Sequence, residues 1–254
     1  MAEEITNNTT NEEVVVTHKF ELSNLLDSTY PLLQEFKSKA PGSFKHSQAL
    51  VSMVESVSQG LELDVTFMKI CAMYHDIGKS VNPIFFGENQ LDNENPHDGF
   101  DPWMSAQLLT RHVSDGVNIL LNDGNFPREI IEVISQHHGN DVLKFFYDKK
   151  VKAQEEGADQ IIVDSFRYPC TKPQTVEAAV LSICDQVEAM SKSHVQAGKF
   201  DPNKVIATSI NGLLDRGQLD DVSMKLGHLK KIKVALAKEL EGIYQKRVDY
   251  DPDE

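Results

Sequence analysis

No run of residues in this 254-residue chain stays apolar for the roughly 18–20 positions needed to cross a bilayer. Residues 1–11 are rich in Glu, Asn and Thr and lack the basic-then-apolar order of a secretory signal. Positive charge is scarce: 25 Lys and Arg stand against 39 Asp and Glu, a net charge of −14. That argues against an extended nucleic-acid surface, which is ordinarily basic. It leaves room for a small anionic ligand, because bound cations invert the local field. Cysteine is scarce and odd in number. Cys71, Cys170 and Cys184 show no paired spacing, so a reducing, cytoplasmic compartment is expected and a disulfide framework is not. Strand-like alternation is missing as well; only residues 161–163 read as a short extended piece.

What remains is helical periodicity. Leu32, Leu33 and Phe36 form a stripe after Pro31, and Leu50, Val51, Val54 and Val57 continue a face that begins at His46. Leu63, Phe67, Ile70 and Tyr74 lead into His75, with Gly78 as the expected helix stop. Pro102 opens a helix carrying Met104, Leu108 and Leu109. Pro127 reads as the first residue of a helix that runs through Ile130, Ile131 and Ile134 and ends at Gly139, after a His doublet. Val176, Val180, Ile183 and Val187 mark a helix after Pro173, and Leu226, Leu229, Ile232, Leu236, Leu240 and Ile243 mark a last long one. The expectation is a single all-α domain over residues 19–248, with a flexible tail at 1–18 and an acidic tail at 249–254. Two loop-like stretches, 80–101 and 157–174, are long enough to be functional.

The chemistry gathers around His75-Asp76, which is followed by Ile77-Gly78-Lys79. His46 lies upstream; His112, His137-His138 and Asp185 lie downstream. Taken singly, each has an ordinary explanation, since a His on an apolar face is usually satisfied locally. Together they are five imidazoles and two carboxylates placed on helices or just past their ends, enough to hold two metal ions. Asp76 has two oxygens with which to bridge such a pair. Asp185 sits between Ile183 and Val187, an odd place for a charge without a partner.

The order His46, His75-Asp76, His112, His137-His138, Asp185 resembles the HD-domain metal-dependent phosphohydrolases. The likeness extends to Lys45-His46-Ser47, Tyr74-His75-Asp76-Ile77-Gly78-Lys79, Glu88-Asn89-Gln90, Asn95-Pro96-His97-Asp98, the segment from His112 to Val117, Gln136-His137-His138-Gly139 and Phe166-Arg167-Tyr168-Pro169. Over residues 44–250 these are similar to the cytoplasmic catalytic domain of the seven-transmembrane HD phosphodiesterases that cleave cyclic di-AMP. Cys170-Thr171 departs from the Gly-Pro usual there. The membrane region that precedes the domain in that family is not represented in this sequence.

The resemblance implies an HD-domain helical bundle that hydrolyses cyclic di-AMP to a linear dinucleotide with two transition metals. One metal takes His46, His75, Asp76 and Asp185; the other takes Asp76, His112, His137 and His138. Nitrogen and oxygen ligands without thiolate suit iron or manganese, with zinc, cobalt and nickel as alternatives. Cys71 and Cys184 read as small core residues. Lys79 would place a cation by the phosphate, acting with Asp76 in catalysis; the plainer reading is a solvated helix-end lysine. Arg167 contacts a phosphate or base on one reading and an acidic surface neighbour on the other. His97 lines the pocket or serves a turn. Phe85, Phe86, Phe145, Phe146 and Tyr147 stack adenines or fill core.

Other readings are an HD-type ribonuclease, which would add a basic RNA-binding domain, and a cyclic di-GMP enzyme, whose Gly-Tyr-Pro motif is missing after His138. A guanosine tetraphosphate hydrolase would show acidic residues where Gly78-Lys79 stands. A non-catalytic HD sensor would commonly have lost ligands. Oligomeric state is not legible in the sequence.

Overall fold

The computed structural model describes residues 20–90, 95–155 and 160–245; the tails expected at 1–18 and 249–254 lie outside these. The described residues are helical, in the order α1 (Pro31–Lys39), α2 (Pro41–Leu61), α3 (Val65–Tyr74), α4 (Pro102–Asp123), α5 (Arg128–Ser135), α6 (Lys144–Lys152), α7 (Val176–Gln196), α8 (Pro202–Asp215) and α9 (Leu226–Gln245). Local chemistry sets these boundaries. Proline opens α1, α2, α4 and α8, where its missing N–H costs nothing. Asp64, Asp101, Thr175 and Asp201 cap α3, α4, α7 and α8 through their side chains. Gly124, with φ 78°, closes α4.

Helix α2 is the hub, packing on α1, α3, α7 and α9, while α8 bridges α7 and α9. One core runs through Leu25, Phe36, Leu50, Met53, Met68, Tyr74, Ile130, Ile183, Ile210 and Leu240. Tyr74 is fully buried yet satisfied, its hydroxyl donating to the Leu25 carbonyl at 2.7 Å. A smaller cluster of Ala106, Phe146 and Phe166 lies where α6 meets α4. Cys71 and Cys184 are buried and unpaired, as expected of small core residues.

Helix α2 has no cap of its own, since Ala40 stands at its start. Asn89, from the loop between α3 and α4, supplies one: its Oδ1 accepts from Gly42 N at 2.8 Å and Ser43 N at 3.1 Å. Ser43 Oγ then donates to Glu88 Oε1 at 2.8 Å.

Several expectations change. Gly78 does not stop α3, which ends at Tyr74; it lies in a 3-10 segment, Ile77–Val81. Contact explains the glycine, because a Cβ there would overlap the His112 carbonyl oxygen and crowd the Gly116 amide on α4. Pro127 flanks α5 rather than beginning it, and Gly139, with φ 55°, lies in the turn beyond its end. The His doublet therefore stands past the helix. Residues 161–162 join no strand, and Val163–Phe166 is a 3-10 turn. Helices α6 and α8 have no counterpart in the periodicity reading, and Phe145, Phe146 and Tyr147 belong to α6.

Gly78→Ala should destabilise the protein by about 1–3 kcal/mol or more, the usual cost of overpacking against unyielding backbone. Gly60→Ala, in an exposed turn of α2 with open space around the new methyl, should be neutral or stabilising by up to about 1 kcal/mol. Chemical denaturation midpoints check both; equal midpoints would show that the Gly78 contact yields freely.

Candidate metal centre

The seven expected ligands converge. His46 comes from α2, His75 and Asp76 from the turn after α3, and His112 from α4. His137 and His138 come from the turn after α5, and Asp185 from α7. His75, Asp76, His112 and His137 are at most 2% exposed. The two oxygens of Asp76 face opposite halves of the group. Oδ2 lies 3.3 Å from His75 Nε2 and 3.8 Å from His46 Nε2, while Oδ1 lies 3.3 Å from His112 Nε2 and 3.9 Å from His137 Nε2. Asp185 Oδ1 is 2.9 Å from His46 Nε2 and 3.6 Å from His75 Nε2, and its Oδ2 is 3.9 Å from His138 Nδ1. Candidate ligand atoms lie within 4.8 Å of one another in two sets that share Asp76: Asp76, His112, His137 and His138, and His46, His75 and Asp76. A third set, His75, His137 and Asp185, crosses between them.

Tautomers show that this donor set fits cations. His75 Nδ1 donates to Ala72 O at 2.8 Å, His112 Nδ1 to Leu109 O at 2.7 Å and His137 Nδ1 to Ile134 O at 2.6 Å. A carbonyl only accepts, so each ring in its neutral form turns an Nε2 lone pair inward. His112 and His137 Nε2 stand 3.4 Å apart, and His46 and His75 Nε2 3.3 Å apart. Asp76 Oδ1 is buried among them without a hydrogen-bond donor. Lone pairs held this close repel unless positive charge lies between them.

Protons or metal can supply that charge. Burial works against the charged form of His46, but its bonds to Asp185 and Glu188 prevail and raise its pKa to about 9. Burial likewise opposes the charge on His75, which the Asp76 and Asp185 carboxylates raise to about 10. Burial and the neighbouring charges of His75 and His112 push His137 down to about 3. For Asp76, burial is outweighed by His75 and Lys79, and its carboxyl stays well below the usual carboxylate range.

Lys79 is not the solvated helix-end lysine of the plainer reading. Its ammonium lies 2.6 Å from Asp76 Oδ2 and 3.0 Å from Glu88 Oε1, with its side chain 15% exposed and Phe86 beneath it. Arg167 and His97 stand apart from the cluster. Arg167 pairs with Asp164 at 2.6 Å and donates to Asn140 O at 3.0 Å. His97 is buried against Phe85, Phe100 and Phe146, with Nε2 donating to Phe85 O at 2.9 Å. Phe145 is 70% exposed, on the outside of α6.

Three neighbours of the cluster have no role assigned from the sequence, although Glu88 and Tyr168 fall in the family-like segments. Glu188 takes the Nδ1–H of His46 at 2.6 Å. Tyr168 stacks on His138, ring centroids 4.3 Å apart. Glu88 holds Lys79. Glu188 lies three positions after Asp185, a helical spacing that could have flagged it. A cavity of about 420 Å³ opens beside the cluster, lined by His46, Lys79, Glu88, His138, Asp185 and Glu188 among others.

Comparison with known proteins agrees with this architecture. The HD domain model matches residues 43–190. The cyclic-di-AMP phosphodiesterase PgpH of Bacillus subtilis (strain 168) is 36% identical over 229 residues, which cover 90% of this chain and 32% of the relative. PgpH of Listeria monocytogenes serotype 1/2a is 34% identical over 232 residues, 91% of this chain and 32% of that protein. The chain thus spans about a third of the length of the curated relatives it matches. The crystal structure of the L. monocytogenes PgpH HD domain superposes with a TM-score of 0.75 at 32% identity, covering 85% of this chain and 99% of that one. A structure of that domain in complex with cyclic-di-AMP matches equally well, TM-score 0.75 over 98% of its length. Matched in sequence over more than half its length, and in shape by a solved domain almost end to end, the chain belongs to the HD-domain family.

Proposed function

We propose that this chain is a dinuclear-metal phosphodiesterase that hydrolyses cyclic di-AMP to a linear dinucleotide, acting in the cytoplasm as one catalytic unit over residues 19–248. The observation that carries the reading is the inward convergence of lone pairs on the split oxygens of Asp76. The substrate assignment is supported by relatives named cyclic-di-AMP phosphodiesterases and by the related domain crystallised with that ligand. We assign one cation to His46, His75, Asp76 and Asp185, and the other to Asp76, His112, His137 and His138. Iron or manganese suits this nitrogen and oxygen set. When bound, such cations supply Lewis acidity, a nucleophile from water at neutral pH and a clamp on phosphoryl oxygens.

The residues do the rest. Hydrolysis adds one water across a phosphodiester, breaking the bond from phosphorus to the leaving 3′ oxygen, which takes up a proton. Asp76 stays ionised and shares its charge between both halves of the site. Glu88 and Asp76 hold the Lys79 ammonium at the cavity wall, where it can offset charge that builds on the phosphate. Of the other two candidates, Arg167 is part-exposed and would meet the substrate further out, toward its bases, while the buried His97 would act by holding the Phe85 loop.

Purified, manganese-loaded protein should cut cyclic di-AMP, and should cut cyclic di-GMP more slowly or not at all. A higher kcat/KM on short RNA would transfer the assignment to a nuclease.

Elemental analysis should find about two transition metals per chain, and Asp76→Ala should disable both sites because both share that residue. One metal or none in loaded wild type would defeat the dinuclear arrangement. Cation uptake needs neutral imidazoles, whereas His46 and His75 are raised to about 9 and about 10. Their protonation stabilises the cation-free fold fully below the unfolded pKa of about 6.5, and this stabilisation is lost as pH rises through 9–10. Metal binding at pH 7 should therefore release protons, seen as a calorimetric enthalpy that varies with the buffer's ionisation enthalpy. A buffer-independent enthalpy would show both rings already neutral.

Lys79→Ala should lower kcat by roughly 10²–10³ with both metals retained, the usual loss for one preorganised electrostatic partner. Because Lys79 is largely buried between Asp76 and Glu88, the substitution also costs stability. Breaking this largely buried pair should destabilise the cation-free protein by up to about 3–5 kcal/mol, and added manganese should restore much of it. Near-normal turnover with two metals bound would return Lys79 to a structural role.

A further inference from the structure

We infer that Glu188 makes the two halves of the metal cluster unequal, its carboxylate holding the His46 ring and tightening cation binding at the half built from His46, His75, Asp76 and Asp185. The inference rests on the ligand assignment proposed above. It starts from an asymmetry among the imidazoles. His75, His112 and His137 each lean on a backbone carbonyl three residues back, which any sequence would provide. His46 lies inside α2 and reaches across 142 positions to a side chain, with Nδ1 2.6 Å from Glu188 Oε2.

Glu188 is 6% exposed, and among the described residues no lysine or arginine is ion-paired with it. A carboxylate this dry, whose ion-pair partner is one imidazole, has His46 as its business. It sits one turn beyond Asp185, so a single face of α7 presents both a ligand oxygen to His46 Nε2 and an outer carboxylate to His46 Nδ1. The outer contact fixes the tautomer, aims the Nε2 lone pair and makes the ring a stronger donor. Charge adds to this. Asp76, Asp185 and Glu188 all lie within 4 Å of His46, whereas around His112, His137 and His138 the carboxylates are Asp76 and the far oxygen of Asp185, 3.9 Å from His138 Nδ1, so Glu188 is the charge that one half has and the other lacks. The half with more negative charge and the more basic imidazole binds its cation tighter. Glu188 is thus a positioning residue, acting through His46.

Glu188→Gln keeps an oxygen able to accept from His46 Nδ1–H and removes only the charge. Cation-free protein titrated with Mn²⁺ against a competing chelator should show two classes of site in wild type. In Glu188→Gln the tighter class should weaken about 10–100-fold, the usual effect of losing such an outer partner, while the weaker class keeps its wild-type affinity. Glu188→Ala, which leaves the ring free to turn, should weaken the same class further. Unchanged affinities in both variants would overturn the inference, and so would an equal loss in both classes, which marks general loosening of the helix pair. A wild type that binds one cation or none fails differently: it overturns the dinuclear reading itself.

Discussion

A carboxylate buried among inward-facing imidazole lone pairs must be neutralised, and that requirement organises the centre of this molecule. Asp76 is 1% exposed, yet its two oxygens face four Nε2 atoms and one ammonium. An arrangement so unfavourable without positive charge persists only if the surroundings hold it. The ends of helices do much of that holding. Ala72 and Ile134 lie in the last turns of α3 and α5, where carbonyls lack a full complement of helical partners. Those carbonyls accept from His75 and His137 and fix both rings.

The apolar core places these ends. Helix α2 carries His46 and α7 carries Asp185; the two helices pack together, and each contributes residues with no exposed surface to the core, among them Leu50, Met53, Val57, Ile183 and Val187. The Gly78 contact brings the 3-10 segment onto α4 and joins Asp76 to His112. The geometry of the cluster and the stability of the fold thus draw on the same contacts, since moving either helix would separate side chains that now lie 2.9–3.3 Å apart.

Much of this was legible in the chain. The periodic stripes of α2, α3, α7 and α9 appear in the sequence because each buries one continuous face, and the seven candidate residues stood out because His46 and Asp185 interrupt such faces while His75-Asp76 and His137-His138 are adjacent pairs just past helix ends. Helix α6 was hidden: it has a single buried residue, Phe146, amid a run of lysines and aromatics. Helix α8 has a clear apolar face in Val205, Ile206, Ile210 and Leu213, at a spacing legible in the sequence. The pairing of Glu188 with His46 spans 142 positions and that of Glu88 with Lys79 crosses an irregular loop, so neither follows from local spacing, although the spacing of Glu188 from Asp185 places both on one face of α7. Gly78 was assigned the right importance for the wrong reason. Its spacing after an apolar run looks like a helix terminus, whereas its actual constraint is a neighbouring backbone that only the folded chain brings near.

The capping of α2 by Asn89 has a consequence for how the protein assembles. A helix whose first amides are satisfied by its own side chains can form early and alone. Here the acceptor lies 46 and 47 residues downstream of the amides it serves, so the first turn, just ahead of His46, is completed only when the intervening chain has closed into a loop. Such closure carries an entropic cost that local contacts avoid. The turn that leads into the cluster is therefore completed by a non-local contact rather than by the helix itself, and the entry to His46 depends on the segment that carries Asn89.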